Sequence, residues 1–154
     1  MLSDLFPVKN LKNYNLVWIA LILLFSCAAG INQIDNTPSY PDDPEMESAV
    51  IAYMAGDHLG SLVILERTVS ETPNYFTAKL FMALNYLKLG WWESALAMAE
   101  GLIPSASNKE ESAILQFIRY TSLERLEQST AADNESLRKI RINNHDVLRK
   151  YKIP

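Results

Sequence analysis

The chain has 154 residues, enough for one ordinary domain and too few for two. Hydrophobic residues make up 49% and charged residues 21%, with 5 glycines and 7 prolines, which excludes collagen-like, low-complexity and mostly disordered classes. A net charge of −4 argues against electrostatic binding to nucleic acid, a single cysteine excludes an internal disulfide framework, and two histidines leave little for a metal or catalytic cluster.

Met1–Asn15 is polar and carries Lys9 and Lys12 against Asp4, and Leu16–Phe25 is a run of ten uncharged apolar residues followed by Ser26, Cys27, Ala28, Ala29 and Gly30. A basic flank, a short apolar core and small residues make an export signal. The run is too short to cross about 30 Å of hydrocarbon, which takes ~20 helical residues. No Lys or Arg occurs between Lys12 and Arg67, whereas Asp35, Asp42, Asp43, Glu45 and Glu47 follow the apolar run. By the positive-inside rule the N-terminus stays cytoplasmic and the rest is exported.

Leu24-Phe25-Ser26-Cys27 resembles the lipobox of bacterial lipoproteins. The resemblance implies that residues 1–26 are a signal peptide cut before Cys27, and that Cys27 is the lipid attachment site. Several acyl chains there would anchor the protein stably, since each buried CH₂ contributes about 0.8 kcal/mol. Ala28 in place of Asp implies, by the family's sorting rule, an envelope protein facing the periplasm at the outer rather than the inner membrane. The alternative is an uncleaved signal anchor in the inner membrane, with Cys27 an inert apolar residue.

Residues 27–44 then form the lipidated cysteine and a tether. Ile31–Pro44 has three prolines, three acids and no apolar period, so it reads as a flexible spacer. From Asp43 the pattern turns helical. Asp43-Pro44-Glu45 is a start signal of N-cap, first-turn proline and first-turn acid. Helices are expected over Glu45–Ala55 (stopped by Gly56), about Leu59–Ser70, from Pro73 or just after it to Leu89 (stopped by Gly90), and over Trp92–Leu102. Ser107 and Glu110 form a capping box for a fifth, Lys109–Gln128; Ser129–Asn134 reads as a loop, and Glu135–Lys152 as a last amphipathic helix. No segment alternates like a strand, so the fold class is all-α.

Shifting the chain by 34 residues aligns Ala49 with Ala83, Val50 with Leu84, Gly56 with Gly90, Ser61 with Ala95 and Leu62 with Leu96, the signature of a helix-turn-helix repeat. With Ala83, Tyr86, Leu89-Gly90, Trp92 and Ala95, the segment Ala83–Leu96 resembles the core of a tetratricopeptide (TPR) repeat. Ala49, Gly56, Ser61 and Pro73 fall at the matching positions of a first repeat. Lys79 stands where the family usually has Trp and Ser107 where it has Pro. Ile114, Phe117 and Tyr120 begin a third unit that loses the pattern at Glu124, the glycine position. The resemblance implies a short TPR-like helical-hairpin solenoid of about 2.5 repeats over 45–128, with a C-terminal capping helix in 129–154. A generic helical bundle is the competing architecture.

In that family the first helix of each pair lines a groove. The resemblance puts there Met46, Val50, Tyr53 and Met54 from the first repeat, Leu80, Leu84, Leu87 and Lys88 from the second, and Ile114, Ile118 and Thr121 from the half-repeat. An almost wholly apolar groove suits an amphipathic helix or extended peptide of a protein partner and not a carboxylate clamp. The same groove could be filled by the protein's own last helix, where Leu137, Ile140, Asn144, Val147, Leu148 and Tyr151 share a face. Asp133–Pro154 is basic on an otherwise acidic mature chain, so this helix could instead meet a partner or anionic headgroups.

Trp91-Trp92 is expected to pack at the turn and His58 to face solvent, and no enzyme, metal or cofactor signature is present. The expected function is a membrane-anchored interaction scaffold, or accessory subunit, in a bacterial envelope assembly. A periplasmic small-molecule or lipid carrier, and an inner-membrane anchored subunit of a membrane complex, are the alternatives.

Overall fold

The computed structural model describes residues 38–153; the apolar run Leu16–Phe25 and Cys27 lie outside them. Among the described residues the fold is all-α, with no strand. The helices are α1 (Pro44–Ala55), α2 (His58–Glu71), α3 (Phe76–Leu89), α4 (Trp92–Leu102), α5 (Lys109–Arg125), α6 (Ala131–Asn143) and α7 (His145–Lys150), with a 3-10 turn at Ile103–Ser105.

Local chemistry sets these boundaries. Asp43 caps α1 by accepting from the Met46 amide at 2.9 Å, with Pro44 in the first turn. Gly56 (φ 87°) and Gly90 (φ 75°) end α1 and α3 in the left-handed conformation. In each case the glycine amide donates three residues back and the next amide five back, Asp57 to Ala52 O at 2.9 Å and Trp91 to Tyr86 O at 2.9 Å. This paired arrangement satisfies the orphan carbonyls of a helix end and favours a residue without Cβ.

Several boundaries differ from the sequence expectation, among them the end of α5 at Arg125 instead of Gln128. Pro73 does not open α3: the Tyr75 amide donates to Thr72 O at 3.0 Å, so proline occupies a tight turn before the helix. The cap of α5 is Asn108, whose Oδ1 accepts from the Glu111 amide at 2.9 Å, while Glu111 Oε2 accepts from the Ser107 amide at 2.7 Å. The expected last helix is two helices. Thr130 and Asp133 form a reciprocal capping box that starts α6 four residues early, and Asn144 (φ −126°, ψ 25°) interrupts the chain before α7.

Each helix from α1 to α6 packs on the next, and α1 also meets α3, α3 meets α5, and α7 touches α5 and α6. Small residues allow this close approach. Ala49, Ala83, Ser61 and Ala95 are all fully buried, and Ser61 Oγ donates to Ala49 O at 2.9 Å, bringing α2 against the α1 backbone. One core cluster runs through all seven helices.

Candidate functional site

Of the eleven groove positions, nine are buried: Met46, Val50, Tyr53, Leu80, Leu84, Leu87, Ile114, Ile118 and Thr121. Only Met54 and Lys88 are half-buried. The residues from α1, α3 and α5 are brought together, but as the floor and rim of a covered face.

The cover comes from both ends of the described chain. Tyr151 sits against Phe81 with ring centroids 5.8 Å apart, and its carbonyl accepts from the buried Tyr53 hydroxyl at 2.7 Å. Lys88 Nζ donates to the next carbonyl, Lys152 O, while Lys152 Nζ donates to Met54 O at 2.6 Å. Lys150 Nζ pairs with Glu110 Oε1 at 2.8 Å, fastening the segment to α5. From the other end Tyr40 packs edge-on against Phe81 at 6.2 Å, and its amide donates to Glu47. Phe81 is therefore the hub of three tyrosines, with Tyr53 at 5.5 Å and near-perpendicular.

Burial governs the electrostatics. It pushes the phenols of Tyr53 and Tyr151 well above their ordinary range, and for Tyr151 the neighbouring Tyr40 and Glu110 add to the effect. Lys88 moves down, first because burial penalises its charge and then because Lys152 is a like charge beside it.

Phe81 was not among the sequence-derived positions, although it shares an i, i+3, i+7 ladder with Leu84 and Lys88 that marks the same helix face. Glu110 also joins the site, in addition to its place in the acidic first turn of α5. His58 does not simply face solvent: Nδ1 lies 3.1 Å from Asn85 Oδ1, and the ring packs against Tyr53 at 5.4 Å. Trp91 is exposed and stacks on Tyr86, whereas Trp92 is half-buried with the Arg125 guanidinium 5.8 Å from its ring. The large apolar side chains left exposed include Ile51, Leu59 and Val63 on the first hairpin.

Among the described residues no group of three or more His, Cys, Asp or Glu side chains could hold a metal ion, and no helix is long and apolar enough to cross a membrane. Comparisons with known proteins return no family, no curated protein and no solved structure that matches the chain.

Proposed function

We propose that this chain is a bacterial lipoprotein, anchored through Cys27, whose TPR-like helical pairs serve as a scaffold for a protein partner in an envelope assembly. The observation that carries the scaffold reading is the face at Tyr53, Phe81 and Lys88, over which the chain's own C-terminal turn, Tyr151–Ile153, packs with its carbonyls accepting from Tyr53 and Lys88. The TPR-like reading is supported by the 34-residue recurrence of a buried small residue (Ala49, Ala83), a left-handed glycine (Gly56, Gly90) and a second buried small residue (Ser61, Ala95). The third unit departs from this: α5 carries its left-handed residue at Glu127, three positions beyond the expected Glu124. The anchor rests on the sequence Leu24–Cys27, and its orientation on the acidic flank that follows.

Two experiments test this reading. Intact mass of the protein from its native membrane, with Cys27→Ala beside it, should match residues 27–154 plus acyl chains and lose them in the variant. An uncut, unmodified chain would refute the lipoprotein. For the scaffold, a photo-crosslinking amino acid at Met54, on the half-buried rim, should capture one envelope protein, and Lys88→Glu should reduce the yield without loss of helix. Polar substitution of Leu84 is unsuitable here, because Leu84 is fully buried and its loss reports on packing.

A further inference from the structure

Charge is divided unevenly along the chain. Asp133–Pro154 carries six basic residues against three acids, whereas residues 38–132 carry six basic residues against thirteen acids. Helix α6 places part of the basic excess on one face. Arg138, Lys139, Arg141 and Ile142 lie at three- and four-residue steps and all are exposed, Ile142 at 63%. The other side of the helix, with Leu137 and Ile140, packs into the core.

The acids nearby do not cancel this face. Asp133 is taken up by the Thr130 cap and lies 3.9 Å from Arg119. Glu135, the exposed acid of α6, meets two cations, Arg138 at 2.9 Å and Lys139 at 3.6 Å. Arg141 lies over the Phe117 ring, 5.6 Å from its centroid. Beyond Asn144, His145 and Asp146 are exposed as a pair, and Arg149 adds a further exposed cation. Ion pairs this exposed contribute little to stability, so holding the fold together does not account for the cations.

Deepening the anchor reading above, we propose that the exposed face of α6 (Arg138, Lys139, Arg141 and Ile142) docks on an anionic lipid surface. The cations meet headgroup phosphates, and Ile142 enters the boundary between headgroups and acyl chains. The acidic body is repelled by the same surface, so α6 is the side that turns toward it. At ~3.5 Å per residue, the chain from Cys27 to Pro44 spans at most about 60 Å, which keeps a domain anchored at Cys27 within reach of the lipid.

The test uses the full chain with Cys27→Ala, which cannot be acylated, and an environment-sensitive fluorophore on Ile142→Cys. Vesicles with about one-third phosphatidylglycerol in phosphatidylcholine should shift its emission to the blue, and about 0.5 M salt should reverse most of the shift. Phosphatidylcholine alone should leave it unchanged. The same fluorophore on Val63→Cys, on the first hairpin, should not respond to either lipid. Adding Arg138→Gln, Lys139→Gln and Arg141→Gln should raise the anionic lipid needed for half the shift by at least about tenfold, with helical circular dichroism retained. Should that variant lose its helix, the lipid and salt dependence of the Ile142 probe, set against the Val63 probe, still decides. No shift with anionic vesicles, or equal shifts with both lipids, would overturn the proposal. A shift without vesicles that grows with protein concentration and vanishes in salt would instead seat a second copy's acidic surface on α6, and would overturn the lipid partner. Acylation of Cys27 enters none of these readouts, so failure of the anchor reading is separable from failure of this one.

Discussion

Asn85 is fully buried at the centre of α3, and every polar contact it makes joins one helix to another or to itself. Its Nδ2 donates to Ser61 Oγ at 2.9 Å and to Phe81 O at 2.9 Å, and its Oδ1 faces His58 Nδ1. Ser61 passes the chain on to Ala49 O, so α1, α2 and α3 are tied by one directional line of hydrogen bonds. Asn85→Leu keeps the branched side-chain skeleton, with bulkier ends, but strands those partners, and should cost about 2–3 kcal/mol in urea unfolding. A loss below about 0.5 kcal/mol, within the range of ordinary surface changes, would show that the line is not a structural tie. Glu127 poses the opposite case. It is exposed, ends α5 at φ 58°, and holds the same paired cap that Gly56 and Gly90 hold elsewhere, with Gln128 donating to Leu123 O at 2.9 Å. Glu127→Gly should therefore stabilise the fold by about 1 kcal/mol, read as a higher urea midpoint with an unchanged slope.

At the scale of the element, the starts and stops of helices follow from side chains that bond to the backbone. Asp43 is held below the usual carboxylate range, first by the Met46 amide and then by the Tyr75 hydroxyl, while burial and this carboxylate push Tyr75 up to about 12. Asp43→Ala should cost about 1 kcal/mol. The sign of its pH dependence follows from a lowered folded pKa: the contribution is present above the ordinary carboxylate value near 3.9 and is lost as pH falls through the folded value. Wild type should lose more stability than Asp43→Ala between pH 5 and pH 2 in urea titrations, and parallel losses would mean that Asp43 is not a cap in solution. Such local chemistry is what a sequence displays, which is why Gly56 and Gly90 mark their helix ends and Trp92–Leu102 is placed as found. The break at Asn144 and the turn at Pro73 depend on where the chain must go next, whereas the early start of α6 follows from the local Thr130–Asp133 spacing. The candidate site was partly legible for the same reason. The repeat resemblance groups Tyr53, Leu84 and Lys88 in one groove, and the apolar face that includes Tyr151 marks the last helix as one way to fill it, but that the final turn Tyr151–Ile153 makes the contact depends on where α7 sits, which no local pattern gives.

For the molecule as a whole, the covered face makes tyrosine ionisation a probe of the entire fold. The phenols of Tyr40, Tyr53, Tyr75, Tyr86 and Tyr151 are all raised above 10, in each case chiefly by burial. Below pH 10 these groups are neutral in both states and contribute no pH dependence. Above it the unfolded chain releases their protons while the folded chain keeps them, so stability falls with pH, by about 1.4 kcal/mol per pH unit for each fully protected phenol. Lys88 acts in the other direction. Its folded pKa is lowered, so between that value and the ordinary lysine value the unfolded chain holds the extra proton and stability rises with pH. One lysine opposes five phenols, and the net result should be a chain whose urea midpoint changes little up to about pH 10 and then falls steeply. Tyr53→Phe removes one protected phenol, along with the bond to Tyr151 O, and should flatten the alkaline slope by about one proton while lowering stability at neutral pH. A wild-type midpoint that stays level to pH 12 would mean that the phenols ionise within the folded chain. The face over Phe81 would then be open to water in solution, and Tyr151–Ile153 would cover it only part of the time.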